Sequence, residues 1–103
     1  MPELEDERFY EAHADFCAVF ANANRLKLLD LLAEGEERSV SELVALSGIS
    51  QSTISQHLKL MRDQGIVARE RDGVNNYYSI SDQRIVDGIE MARAVLRERQ
   101  DSP

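Results

Sequence analysis

Ser39-Val-Ser-Glu-Leu-Val-Ala-Leu-Ser-Gly48-Ile-Ser50-Gln-Ser-Thr-Ile-Ser-Gln-His-Leu-Lys-Leu-Met-Arg-Asp-Gln64-Gly65 is the stretch that fixes the architecture. Ser39 to Glu42 spells a capping box, with Ser39 or Ser41 as N-cap, and opens a short helix over Leu43, Val44 and Leu46 that Gly48 ends. Ser50 is a second N-cap candidate. The helix it opens, Gln51 to Gln64, carries Ile54, Leu58 and Met61 on one face and Ser52, Ser55, Gln56, Lys59 and Arg62 largely on others. A merely solvated face is typically rich in Glu and Lys. This one begins with short hydrogen-bonding side chains and has no acid until Asp63.

Downstream of Gly65, Ile66 to Arg71 alternates as a strand does, Asp72-Gly73 signals a turn, and Asn76 to Ile80 reads as the return strand. Residues 82–99 regain helical spacing, with Ile85, Ile89, Ala92 and Leu96 on one stripe and Val86 and Val95 beside it; Gln100 to Pro103 reads as a frayed tail. Upstream, Phe9, Ala12, Phe16 and Phe20 form an amphipathic stripe with His13 and Cys17 on its edge. Asn22 and Asn24 are cap candidates for a second helix, Arg25 to Ala33, which buries Leu28, Leu29 and Leu32 and stops near Gly35. The expected fold is mainly α with a small β-wing: a winged helix-turn-helix of five helices and a two-stranded hairpin. We expect one domain over residues 1–103, with the helix-turn-helix at about 39–64, the wing at about 66–80, and dimerisation helices at about 7–20 and 82–98.

The 103 residues, 43% hydrophobic and 30% charged, suit one soluble domain with a small core. A symmetric partner is a natural source of further burial. No stretch approaches the ~20 apolar residues of a membrane span, and Met1 to Glu7 is the opposite of a basic, apolar signal peptide, so a cytoplasmic location is expected. The single Cys17 excludes an internal disulfide and a one-chain zinc site of four thiolates, and no cofactor is expected. A net charge of −7 would by itself disfavour nucleic acid. The charge is uneven, however: six acids crowd residues 1–15, whereas residues 50–79 hold Lys59, Arg62, Arg69 and Arg71 against Asp63, Glu70 and Asp72.

The major groove admits one α-helix, and Gln, Ser, Thr and Lys near its N-terminus can meet base edges or phosphates. Ser50, Gln51, Ser52, Thr53, Ser55, Gln56 and Lys59 fit that task on the second helix of the pair. On the wing, Arg71 and Asn75 are the tip candidates. Tyr77 and Tyr78 alternate, so one faces the core and the other, taken as Tyr77, faces solvent or phosphate. Glu70 and Asp72 count against a phosphate-binding wing.

Asn24-Arg-Leu-Lys-Leu-Leu-Asp-Leu-Leu32, Ser41-Glu-Leu43, Ile49 to Val67, and Arg71 with Tyr77-Tyr-Ser-Ile80 resemble the ArsR-type winged-helix repressors from about residue 9 to 98. The resemblance implies a homodimeric bacterial or archaeal transcription repressor that holds a double-stranded operator until an inducer lowers its affinity. Ala23 departs from it, standing where the family often has Pro. Members commonly sense metals, and the corresponding positions differ here. Glu42-Leu-Val44-Ala-Leu46 lacks the thiolates of the short-helix site. The last helix offers Asp82 followed by Arg84, with Val95 and Arg97 further on, and Arg cannot ligate a cation. No metal ligand set is assigned.

His13 and Cys17, four apart on the first helix, are the remaining sensing candidates, as a half-site completed by a symmetry mate or as a reactive thiol. The plainer alternative, which we favour, makes Cys17 a small buried hydrophobe with His13 at the boundary. His57 is either a packing imidazole or a DNA contact. Three functional classes follow: a sequence-specific DNA-binding regulator, a winged-helix protein-interaction module without DNA binding, and an enzyme. No Ser/His/Asp spacing, Gly-rich phosphate loop or metal triad supports the third, so none is expected.

Overall fold

Leu28, Leu32, Leu43, Ile54, Leu58, Met61 and Ile66 are sealed from solvent, and the elements of the chain are arranged around them. The computed structural model describes residues 1–101. These run α1 (Glu7–Ala18), α2 (Ala23–Glu34), β1 (Arg38–Ser39), α3 (Val40–Ser47), α4 (Gln51–Asp63), β2 (Val67–Asp72), β3 (Asn75–Ile80) and α5 (Gln83–Asp101).

The five expected helices form, but the sheet has three antiparallel strands in the order β1-β3-β2, not two. Arg38 lies opposite Tyr78 and Ser39 opposite Tyr77, so β1 covers the outer edge of the wing. Two residues are too few to show alternation, which is why the sequence does not reveal this strand. In the hairpin itself, Val67 faces Ile80 and Asp72 faces Asn75, and Gly73 takes the left-handed turn conformation at φ 63°. Tyr78 points inward at 8% exposure, while Tyr77 is half-buried on the opposite face.

Local chemistry sets the helix starts. Asn22 Oδ1 accepts from Arg25 N at 3.0 Å, and Ser39 and Glu42 complete a reciprocal capping box at 3.2 and 3.1 Å. Of the two serines considered, Ser39 is the cap. Neither α1 nor α2 has a basic residue in its last turn. Arginines from elsewhere supply the missing donors: Arg25 reaches Val19 O at 2.8 Å and Ala18 O at 3.1 Å, and Arg38 reaches Leu31 O at 2.7 Å. Gly35 leaves room for that second contact, since a Cβ there would lie 3.0 Å from the Arg38 guanidinium.

The terminal helices differ from the central ones. Among the described residues, neither α1 nor α5 contains a buried side chain. Phe16 and Phe20 pack edge to face at 5.4 Å between ring centroids and line, with Ile85, Ile89, Ala92 and Leu96, an open apolar groove of about 800 Å³. Arg93 fastens α5 to α2 through Asp30 at 2.7 Å. The radius of gyration, 15.7 Å, exceeds the roughly 13 Å of a compact chain of this length. Helix α1 ends at Ala18, two residues before the expected limit, and α5 continues through Gln100 and Asp101, where a frayed tail was expected. Ser102 and Pro103 lie outside the described residues.

Candidate nucleic-acid interface

Gly48, at φ 74°, ends α3 with its N–H donating to Val44 O, and the chain turns through Ile49 to Ser50. Ser47 tightens this turn by accepting from Ile49 N at 3.0 Å and donating to Leu43 O at 2.6 Å. Helix α4 then rests on buried Ile54, Leu58 and Met61. With that face fixed inward, Gln51, Ser52, Ser55, Gln56 and Lys59 are all exposed.

These candidates are not equivalent. Ser50 is engaged as the N-cap: its hydroxyl accepts from Thr53 N at 3.4 Å and donates to Thr53 Oγ1 at 2.9 Å. Thr53 is consequently half-buried and bonded, and Ser52 Oγ stands 3.5 Å from Ser50 Oγ. Among the described residues, the side chains of Gln51, Ser55 and Gln56 make no hydrogen bond, so their donors and acceptors face water. Lys59 is tied to Asp63 at 2.9 Å across one helical turn. Both groups are exposed, so the pair is weak and a phosphate can compete for the ammonium. The i,i+4 spacing of Lys59 and Asp63 was a readable signal for this pair.

The wing divides its candidates between two faces. Cross-strand partners share a face, so Arg71 lies with Asn76, whereas Asn75 lies with Asp72 and Tyr77 with Glu70. Arg71 folds back toward the turn, donating from Nε to Gly73 O at 3.1 Å. Tyr77 borders a hollow shared with Glu37, Glu70, Arg71 and Asp72. Glu37 comes from the loop before β1, and only the folded sheet brings it to the wing. The acidic environment weakens Tyr77 and Arg71 as phosphate contacts relative to α4.

Cys17 corrects the expectation of a buried thiol: it is exposed on the protomer, as is His13. The inward positions near the end of α1 are Phe16, Val19 and Phe20, and Cys17 stands one residue off that row. His13 lies 5.9 Å from the Phe9 ring and makes no tie to Cys17 among the described bonds. At the start of α5, Arg84 clamps Asp82, with Nη2 to Oδ2 at 2.7 Å and the Arg84 backbone N to Oδ1 at 2.9 Å. These bonds hold the Asp82 pKa down to about 2. Arg84 can only donate, so a single carboxylate, Asp82, remains here as a potential cation ligand. Among the described residues no group of three His, Cys, Asp or Glu side chains is placed to hold a metal ion.

A capped helix-turn-helix whose second helix leads into a β-wing defines the winged helix-turn-helix class of DNA-binding domains. The chain belongs to the arsR family of bacterial regulatory proteins, whose model matches residues 22–69. It is 38% identical over 94 residues to an uncharacterised HTH-type transcriptional regulator, Rv0081 of Mycobacterium tuberculosis, spanning 90% of this chain and 82% of that protein. The crystal structure of Rv0081 superposes with a TM-score of 0.83 at 36% identity, covering 92% of this chain and 95% of the other. A probable mercury resistance operon repressor from Streptomyces lividans is 40% identical over 85 residues, covering 82% of this chain and 67% of that protein. The homodimeric winged helix-turn-helix DNA-binding domain Mb0332 of Mycobacterium bovis, solved by NMR, gives a TM-score of 0.83 at 28% identity and covers 98% of this chain and 94% of that one. The family is one of transcriptional regulators and not a class of enzymes.

Proposed function

We propose that the protein is a homodimeric repressor that reads a palindromic operator with α4 and leaves it in response to a signal. The observation carrying this reading is the exposed, unbonded row Gln51, Ser55 and Gln56, held outward by a buried opposite face. Gln51, Ser52 and Gln56 address bases. Ser50 and Thr53 set the helix start and bring its N–H groups toward phosphate, and Lys59, Arg71, Asn75 and Tyr77 supply backbone contacts in decreasing order of electrostatic support. Residues 1–103 act as one domain, in the cytoplasm where such an operator lies.

Dimerisation is supported by what α1 and α5 leave uncovered. Phe9 is 51% exposed and Leu96 53%, on helices with no buried residue among those described, and Leu96 lines the apolar groove with Phe16, Phe20, Ile85 and Ile89. A second copy laid on this surface would set two α4 helices about one DNA turn, ~34 Å, apart. That Mb0332 is homodimeric supports a dimer here as well.

The acidic hollow of Glu37, Glu70 and Asp72 favours a second reading, a winged helix that binds a protein and not DNA. An electrophoretic shift on the promoter region upstream of the protein's own gene separates the two. A discrete complex that resists random competitor DNA supports the repressor; no complex at micromolar protein supports the second reading.

A further inference from the structure

Arg25 occupies the point where three helices meet. Its backbone N–H donates to the cap Asn22, and its side chain satisfies the last carbonyls of α1, with Nε on Val19 O at 2.8 Å and Nη2 on Ala18 O at 3.1 Å. The remaining arm, Nη1, ends 3.4 Å from Nδ1 of His57 on α4, a residue 32 positions further along the chain. A guanidinium can only donate, so Nδ1 must accept and the imidazole must be neutral with its proton on Nε2. His57 is half-buried between the inward and outward faces of α4 and is not aimed outward with Gln51 and Gln56.

We infer that Arg25 and His57 are positioning residues which couple α1 to α4, and that protonating His57 breaks this link and lowers affinity for the operator. A second proton on the ring would place an N–H against an N–H and a cation against a cation, leaving the guanidinium held by α1 alone. Arg25 of α2 is the charged group that faces the ring. Among the described residues, the end of α1 meets Arg25 through the Val19 and Ala18 carbonyls, and Lys59 on α4 is turned to Asp63. Burial first, and the Arg25 charge second, keep the His57 pKa below its ordinary value, so the neutral link persists at neutral pH and yields under acid. The direction of the pH effect is diagnostic, because an imidazolium contacting phosphate would strengthen DNA binding as pH falls.

This inference rests on α4 being the DNA-contacting helix, and its test keeps the two apart. Binding of a fluorescein-labelled duplex of the protein's own upstream region is measured by anisotropy at about pH 8 and about pH 5.5. The proteins compared are the wild type and His57→Asn, whose Oδ1 replaces Nδ1 as acceptor at either pH. His13 is present in both and cancels. We expect equal affinity at the higher pH, a wild-type loss of at least about threefold at the lower, and no such loss in the variant. A wild-type affinity that rises with acid, or the same response in both proteins, overturns the inference. If neither protein binds the duplex at the higher pH, the operator reading fails. The ¹⁵N chemical shifts of the His57 ring then still decide the pair: an unprotonated Nδ1 supports it and an Nδ1–H tautomer overturns it.

Discussion

Ser81 closes the junction between the wing and α5 by reaching back to the end of α4: its hydroxyl donates to Ile66 O at 2.9 Å, and its own N–H donates to the same oxygen at 3.0 Å. The hydroxyl also lies on Gly65 O, in the turn that ends α4. The first residues of α5 are thus fixed relative to α4 through one small side chain, with Arg93 and Asp30 fastening the next turns to α2. Ser81→Ala removes the side-chain bonds and keeps the backbone one. We expect a loss of ~1 kcal/mol in urea unfolding. An unchanged midpoint would mean that the backbone bond and packing hold this junction without the hydroxyl.

The outward row of α4 separates sequence reading from general attraction to DNA. Gln51→Ala or Gln56→Ala is expected to cost roughly 1–3 kcal/mol on the operator and little on random duplex. Equal losses on both would assign these side chains to positioning. Ser50→Ala needs a parallel unfolding curve, since loss of the cap costs ~1 kcal/mol and imitates lost binding.

Asp63→Asn tests the opposite direction. Asp63 holds Lys59 at 2.9 Å on the exposed side of α4. Releasing it frees an ammonium and removes a carboxylate from the surface proposed to face DNA. The variant is expected to bind both operator and random DNA more tightly, with a salt dependence steeper by about one phosphate contact. Weaker binding would show that Lys59 needs Asp63 to be held in place.

How far these features could be read in advance depends on how local their causes are. The caps at Ser39 and Ser50, the left-handed Gly48, the Asp72-Gly73 turn and the inward row Ile54, Leu58, Met61 are each set by neighbours within a few residues, and the sequence shows them. Strand β1 pairs with Tyr77 and Tyr78 nearly forty positions away, and Glu37 reaches the wing by the same long-range pairing. No periodicity announces either. Cys17, at the edge of its helix's apolar stripe, is exposed on the protomer, because the stripe fixes a face only to within one residue's rotation, about 100°. The Arg25–His57 contact lies wholly beyond sequence reasoning, since it depends on how α2 and α4 cross.

Stability should follow His57 as well. The folded chain holds this imidazole below its ordinary pKa, so in that window the unfolded chain binds more protons. The contribution is intact above the unfolded value of about 6.5 and is lost as pH falls through it toward the folded value. Thermal unfolding is expected to drop over this range in the wild type more than in His57→Asn. Parallel curves would remove the titration from His57.

Cys17 reports on the dimer surface. It is exposed on the protomer, and Cys17→Ser is expected to change stability by no more than ~0.5 kcal/mol, as an ordinary surface change does. A concentration-dependent loss above ~1 kcal/mol in thermal unfolding would place the thiol under a second copy.

The most direct measurement is a stoichiometric anisotropy titration of the upstream duplex alongside a random duplex of equal length. Two protomers per specific site, bound at least ~1,000-fold more tightly than random DNA at the same salt, are expected of a dimeric repressor reading sequence through α4. One protomer per site, or equal affinity for the two duplexes, would contradict it.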